Sequence, residues 1–233
     1  AEEAPYQSIV EMQALAGKLE VVLIVPFFEK SSTGVFYNTA AVIDADGIVL
    51  GFYRKMHIPY DPGFYEKYYF SEGDAGYKVF QTKYARIGVL ICWDQWFPEA
   101  VRITALKGAD IIFCPSAIGW LTIEEKQDPE QLGLDSWIVV QQGHAIANGV
   151  YVAAVNRVGP EKLSGNEQGI DFWGSSFISD PCGRLLTKAS EFEPEIVYSE
   201  LDFSLIENVR RLWPFFRDRR PGSYTGVLGF SHK

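Results

Sequence analysis

The apolar and polar positions change period several times along the chain. Ile9, Val10, Met12, Leu15, Ala16 and Leu19 fall on one helical face, which predicts a helix over 8–19 opened by the capping pair Ser8 and Glu11. Val21 to Phe28 is a nearly unbroken apolar run and predicts a buried strand. Thr39 to Ile43 and Ile48 to Tyr53 flank Asp44-Ala45-Asp46-Gly47, the pattern of a hairpin. Further strands are predicted at Val79 to Phe80, Ile87 to Cys92, Asp110 to Cys114, Tyr151 to Asn156 and Ile196 to Leu201. Phe172 to Ile178 should pair with Leu185 to Thr187 around a Pro-Cys-Gly turn. Helices are predicted over Pro98 to Leu106, Leu134 to Asn148 and Phe203 to Leu212, the first two closed by Gly108 and Gly149. Residues 121–133 and the stretch from Gly159 to Asp171 are polar and read as loops, the second able to cover a site. Strands alternate with helices and hairpins also occur, so the prediction is α/β with mixed sheets. No repeat or linker interrupts the pattern, and residues 1–233 read as one domain.

One stretch combines a strand with chemistry: Arg86 to Ala100, R-I-G-V-L-I-C-W-D-Q-W-F-P-E-A. Its first half is β-branched and apolar, and its second half opens a helix with Pro98 and Glu99. Cys92 falls between them, where an open α/β sheet places its ligands. Backbone N–H groups there could hold an oxyanion, and the dipole of the following helix should favour a thiolate. A buried structural cysteine is the competing reading. Asp94-Gln95, set between Trp93 and Trp96, favours a pocket wall. Lys55 follows a strand that should end at the same edge, and Pro115 to Trp120 leaves that edge as a second wall. Residues 60–76 form a long aromatic loop, and such loops are usually functional. Within it Glu66 lies among Phe64, Tyr65, Tyr68, Tyr69 and Phe70, so it should be paired or have a raised pKa.

Charge and composition narrow the partners. The net charge of −9 argues against nucleic acid and suits a small cationic or neutral substrate. Three cysteines without C-x-x-C spacing point to a reducing compartment, with Cys114 in the core and Cys182 in a turn. The three histidines show no metal-ligand spacing, and no phosphate-binding glycine motif occurs; neither metal nor cofactor is expected. No apolar run approaches a membrane span and no signal peptide is seen, so a cytoplasmic location is expected.

G-V-L-I-C-W-D at 88–94, with Y-R-K-M-H at 53–57, resembles the nitrilase superfamily of carbon–nitrogen hydrolases. P-S-A-I-G-W, G-H-A-I-A-N-G, N-R-V-G and F-W-G-S-S extend the likeness, which runs from about Val21 to the C-terminus. The resemblance implies an αββα four-layer sandwich with mixed sheets, Cys92 as nucleophile and Lys55 as oxyanion stabiliser. Glu66 corresponds to the additional glutamate placed near the site. The loop G-F-Y-E-K-Y-Y-F points to a subfamily that removes the carbamoyl group from one end of a diamine, releasing ammonia and carbon dioxide. Trp93, Asp94, Trp120 and Asp61 are the candidates for holding the cationic end of such a substrate. Two other readings stand beside it: the same chemistry on another N-carbamoyl compound, or a binding or scaffold protein without catalysis. A carboxylate-bearing substrate calls for an arginine clamp, and no Arg occurs in 58–76 or 113–120. The family's first glutamate lies in an L-P-E motif before the strand at Val21. Glu2 and Glu3 do not match it, so the expectation is a fold N-terminally incomplete by one strand and one helix, belonging to a longer protein. A homo-oligomer is also expected, with R-D-R-R-P-G-S-Y at 217–224 as an arm reaching a partner.

Overall fold

The computed structural model describes residues 1–122, 133–162 and 169–229. Helix α1 (Gln7–Leu19) packs Ile9 and Ala16 against Ala41 and Ile43. The Ser8–Glu11 capping pair does not form. The helix starts one residue earlier, and the Glu2 carboxylate accepts the Ser8 backbone N–H at 3.0 Å. Under α1 lies an antiparallel sheet of β1 (Leu23–Ser32), β2 (Val35–Ile43) and β3 (Val49–Arg54). The predicted hairpin at 44–47 joins β2 to β3. Gly47 has φ +85°, and a Cβ there would lie 2.6 Å from the Gln13 carbonyl oxygen, so only glycine lets α1 rest on the turn.

β1 runs past the predicted Phe28 because a charge inside it is neutralised. Glu29 is buried: its Oε2 accepts from Arg54 Nε at 2.9 Å and from Thr39 Oγ1 at 2.7 Å, and its Oε1 from Tyr6 Oη at 3.2 Å. Two partnered acceptor oxygens let the strand continue where its apolar pattern stops.

The second sheet has the order β12-β11-β8-β6-β5-β4. Its centre is parallel: β5 (Arg86–Val89), β6 (Ile111–Ser116) and β8 (Tyr151–Asn156). Antiparallel strands β4 (Val79–Gln81), β11 (Phe177–Ser179) and β12 (Leu185–Lys188) complete it, as the mixed pattern predicts. Val42 and Tyr53 of the first sheet share one buried cluster with Val89, Leu90, Ile112 and Val152 of the second. Helix α2 (Pro98–Leu106) adds Ala100, Val101 and Ala105 to that cluster, and α3 (Leu134–Asn148) adds Ala145. A Cβ at Gly88 would meet Thr104 Cγ2 at 2.3 Å, which is how closely α2 approaches the sheet. Helix α4 (Ser204–Leu212) contributes Ile206.

Three expectations change. The second predicted loop is, in its described parts, a hairpin: β9 (Val158–Lys162) pairs with β10 (Gly169–Trp173), and β7 (Gly119–Leu121) pairs with β10. Polar, glycine-containing composition concealed strands whose backbone groups satisfy one another. Residues 123–132, most of the other predicted loop, lie outside the described residues. The strand predicted from Phe172 to Ile178 is broken, because Gly174 and Ser175 both take left-handed backbone, at φ 52° and 57°. Ile196 to Leu201 forms no strand among the described residues; Ile196 and Tyr198 are about four-fifths exposed, so nothing flanks the run to complete a ladder.

An apolar groove of about 460 Å³ lies between β1 and the larger sheet, lined by Val22, Ile24, Ile87, Phe113, Val155 and Leu201 among others. Lys55, Glu66 and Cys92 are not among its lining residues. No helix among the described residues is long and apolar enough to cross a membrane.

Ile112 is fully buried on a strand paired on both sides. Ile112→Ala is expected to cost about 2–5 kcal/mol of unfolding free energy. Val139→Ala, on the exposed side of α3, should stay within about 0.5 kcal/mol. Urea unfolding followed by tryptophan fluorescence, with the slope against urea unchanged, checks both.

Candidate active site

β5 ends at Val89, and Cys92 opens a short 3₁₀ turn, Cys92–Trp96. Helix α2 begins at Pro98 as predicted, so this turn stands between it and Cys92. A five-residue turn carries little dipole, so the predicted helix field on the thiol is corrected. What distinguishes Cys92 is its backbone: φ is +47°, a conformation few non-glycine residues adopt and one that stores strain. The Trp93 N–H sits at the turn's N-terminal end, where the turn supplies no acceptor of its own. Burial pushes the Cys92 thiol above its ordinary pKa. The Lys55 ammonium and a hydrogen bond from the Ala117 backbone pull it down, while the charges of Glu66 and Asp94 push it up. These opposing effects place Lys55, Glu66 and the loop after β6 around the sulfur.

Lys55 leaves the end of β3, and its side chain has no exposure. Its Nζ donates to Glu66 Oε1 and Oε2, both at 2.8 Å. Glu66 opens the 3₁₀ turn Glu66–Tyr68 in the long loop and also accepts from Asn38 Nδ2 at 3.3 Å. The carboxylate expected to need a partner has one. The loop is tied down as well: Ser71 N–H donates to the Phe36 carbonyl and Gly73 N–H to that of Lys55, each at 2.8 Å.

Asp94 does not have the position foreseen for it. It is fully buried, and its carboxylate accepts four hydrogen bonds. Tyr53 Oη donates at 2.7 Å and the Ile91 backbone N–H at 3.1 Å. The His57 backbone N–H donates at 2.8 Å, and His57 Nδ1 lies at 2.7 Å. No acceptor capacity is left for a substrate amine. Asp61 lies in an exposed turn, with its own carbonyl accepting the Phe64 N–H. Trp93 and Trp120 are half-buried: Trp93 meets Phe97 edge-on at 6.3 Å, and Trp120 meets Trp173 edge-on at 5.1 Å.

The other side of the turn is held by residues that sequence reasoning passed over. Gln95 Oε1 accepts from Gln141 Nε2 at 2.7 Å and from Ser116 Oγ at 3.2 Å. His144 Nε2 lies 2.9 Å from the Gln95 carbonyl oxygen, which can only accept, so Nε2 carries the proton. Burial lowers the pKa of His144 and keeps it neutral near pH 7. Asn156 brackets the loop after β6, binding the Ile118 N–H at 2.9 Å and its carbonyl at 3.0 Å. The motif G-H-A-I-A-N-G contains His144, but a sequence alone does not say which turn that helix meets. Cys114 is in the core, with its thiol pushed up by burial, and Cys182 is exposed. Among the described residues, no group of three or more His, Cys, Asp or Glu is placed to hold a metal ion.

The charges around the thiol predict opposite responses to two substitutions. In a Cys182→Ser background, Lys55→Met should move the pH midpoint of Cys92 alkylation by iodoacetamide upward, because an attractive charge is lost. Glu66→Gln should move it downward. Mass spectrometry of the alkylated peptide across a pH series reads both.

Comparison with known proteins places this geometry. The family model described as carbon-nitrogen hydrolase matches residues 1–211. The chain is 49% identical over 229 residues to an N-carbamoylputrescine amidase of Solanum lycopersicum, covering 96% of this chain and 73% of the relative. It is 44% identical over 227 residues to a citrullinase of Francisella tularensis, covering 97% of this chain and 76% of the relative. Among solved structures it resembles a carbon-nitrogen hydrolase from Helicobacter pylori G27, with a TM-score of 0.91 and 48% identity over 96% of this chain and 76% of that one. A cysteine on a strained turn, a lysine sealed beside it and a family match across most of the residues lead to one assignment: the chain belongs to the carbon–nitrogen hydrolases of the nitrilase superfamily.

Proposed function

We propose that this chain hydrolyses N-carbamoylputrescine, with Cys92 as nucleophile and Lys55 as stabiliser of the oxyanion. The observation that carries the proposal is the sealed ammonium of Lys55 acting on the Cys92 thiol, in a chain 47–49% identical to four N-carbamoylputrescine amidases. A ureido carbonyl is a weak electrophile, so attack requires a thiolate and a positive charge where the oxygen becomes negative. The Cys92 sulfur bonds to the ureido carbon, and the carbonyl oxygen takes up negative charge beside Lys55 and the Trp93 N–H. The carbon–nitrogen bond to the terminal NH₂ then breaks; that nitrogen takes a proton and leaves as ammonia. A thiocarbamate remains on Cys92. Water adds to its carbon, the carbon–sulfur bond breaks, and an N-substituted carbamic acid departs. That acid decomposes to carbon dioxide and putrescine.

Each half-reaction needs a group that takes and returns a proton. Glu66 and Asp94 are the two carboxylates that act on the thiol, and the acceptor positions of Asp94 are occupied. Glu66 is therefore the carboxylate positioned to share in proton transfer, although it also neutralises Lys55. In the family pattern this work belongs to a first glutamate in an L-P-E motif, and residues 1–233 contain no such motif. Half-buried Trp93 and Trp120 suit the aliphatic and cationic end of the substrate.

The finer fold reading belongs to the same proposal: one domain with an αββα four-layer sandwich, lacking within residues 1–233 the family's first strand and helix. Packing of α1 on the three-stranded sheet, and of α2 and α3 on the six-stranded one, supports the layers. The apolar groove beside β1 supports the gap. We extend the proposal to a homo-oligomer, supported by apolar side chains left exposed toward the C-terminus: Phe192, Ile196, Tyr198, Leu212 and Trp213.

Ammonia release from N-carbamoylputrescine should be measurable and should vanish in Cys92→Ala, while Cys114→Ala retains it. Citrulline should be the poorer substrate, since no Arg occurs in 58–76 or 113–120 to meet its carboxylate. If ammonia is not released but calorimetry still shows N-carbamoylputrescine binding, the protein is a binding module. Light scattering at micromolar concentration should give a mass above that of a single chain, and a monomer would contradict the assembly.

A further inference from the structure

Lys55 and Cys92 come from segments far apart in sequence, and one buried side chain touches both segments. Asp94 stands two residues after Cys92. Its Oδ2 accepts the Ile91 N–H at 3.1 Å, which fixes the residue before Cys92. The same oxygen accepts the Tyr53 hydroxyl at 2.7 Å. Its Oδ1 accepts the His57 backbone N–H at 2.8 Å and faces His57 Nδ1 at 2.7 Å. Tyr53 and His57 lie two residues before and two residues after Lys55. The carboxylate thus grips the Lys55 segment on both sides and the Cys92 turn from within.

Two features show that the grip is rigid. Tyr53 and Asp94 are both fully buried, so water cannot replace their bond. His57 stacks on Phe97, with ring centroids 3.7 Å apart and planes 4° from parallel, and Phe97 closes the turn that Cys92 opens. A turn held at φ +47° relaxes unless its surroundings determine it.

We infer that Asp94 is a positioning residue: its buried carboxylate locks the Cys92 turn to the strand end that carries Lys55, and so keeps ammonium and thiol in register. This deepens the hydrolytic reading of the same site, while its test on thiol reactivity does not require hydrolysis. The titratable groups under the field of this carboxylate or bonded to it are Tyr53, His57, Tyr77, Cys92 and Cys114. Tyr53 and Tyr77 have raised pKa values, Tyr77 at about 12, so both stay protonated across the range in which a thiol titrates.

Charge and positioning give opposite signs. As a charge alone, Asp94 opposes thiolate formation, so Asp94→Asn would lower the pH midpoint of Cys92 alkylation. As a positioning residue, it brings Lys55 to bear on the sulfur, so the same substitution forfeits that attraction and raises the midpoint. The experiment measures iodoacetamide alkylation of Cys92 across pH in four proteins, all carrying Cys182→Ser: parent, Asp94→Asn, Lys55→Met and the double variant. The expected result is alkylation slowed about tenfold at fixed pH in Asp94→Asn, equivalent to about one pKa unit. Lys55→Met should then have little further effect in that background, since coupled residues are non-additive. A lowered midpoint in Asp94→Asn, with the Lys55→Met shift intact, overturns the inference. Should Asp94→Asn fail to fold by circular dichroism, Tyr53→Phe carries the test, because it removes one grip without changing charge. Slower alkylation in Tyr53→Phe at an unchanged melting temperature supports the inference; unaltered reactivity overturns it. Loss of ammonia release alone would count against the hydrolytic reading and leave this one standing.

Discussion

An ammonium removed from water must be paired, and the site is arranged around that constraint. The Lys55 side chain has no exposure, and the desolvation of a lone charge costs several kcal/mol. Glu66 meets it with both oxygens at 2.8 Å. Because Glu66 belongs to the long aromatic loop, that loop is bound to the sheet edge, and its backbone bonds to Phe36 and Lys55 follow the same line. Burial raises the Cys92 pKa, Lys55 lowers it and Glu66 raises it, so the pair acts on the thiol with opposite signs.

The second constraint is the turn that carries the sulfur. A residue at φ +47° is held there by its neighbours: Asp94 secures one side to Tyr53 and His57, and Gln95 secures the other to Ser116, Gln141 and His144. These partners come from β3 and the segment after it, from β6 and from α3. The parallel centre of the six-stranded sheet brings the ends of β5 and β6 to one edge, and α3 packs above them. Asp94 and Gln95 are thus consumed in holding the turn that carries the sulfur.

Much of this was legible in the order of residues. The 3.6-residue spacing of 8–19, the apolar runs and the turn residues located the helices and most strands, because those patterns follow from local geometry and burial. Cys92, Lys55 and Glu66 stood out through motif context, and the structure brings the three together. The failures have physical causes. Polar, glycine-containing residues hid β9 and β10, whose pairing satisfies backbone rather than apolar surface. Ile196 to Leu201 has a strand's composition but pairs with no strand among the described residues. The apolar stretch from Phe172 to Ile178 is cut by left-handed backbone at Gly174 and Ser175, which periodicity does not register.

Sequence by itself determined the mixed α/β class and the family and singled out Cys92 and Lys55, since these rest on residue types and short-range spacing. It could not determine what each polar group touches. Asp94 read as a site for a cation, yet long-range packing turned its carboxylate inward, where four donors occupy it. The helix begins at Pro98 as predicted, but a 3₁₀ turn separates it from Cys92, and the positive charge acting on the sulfur belongs instead to a lysine 37 positions upstream. Hydrogen bonds and fields depend on distances through space, and only the folded chain sets those.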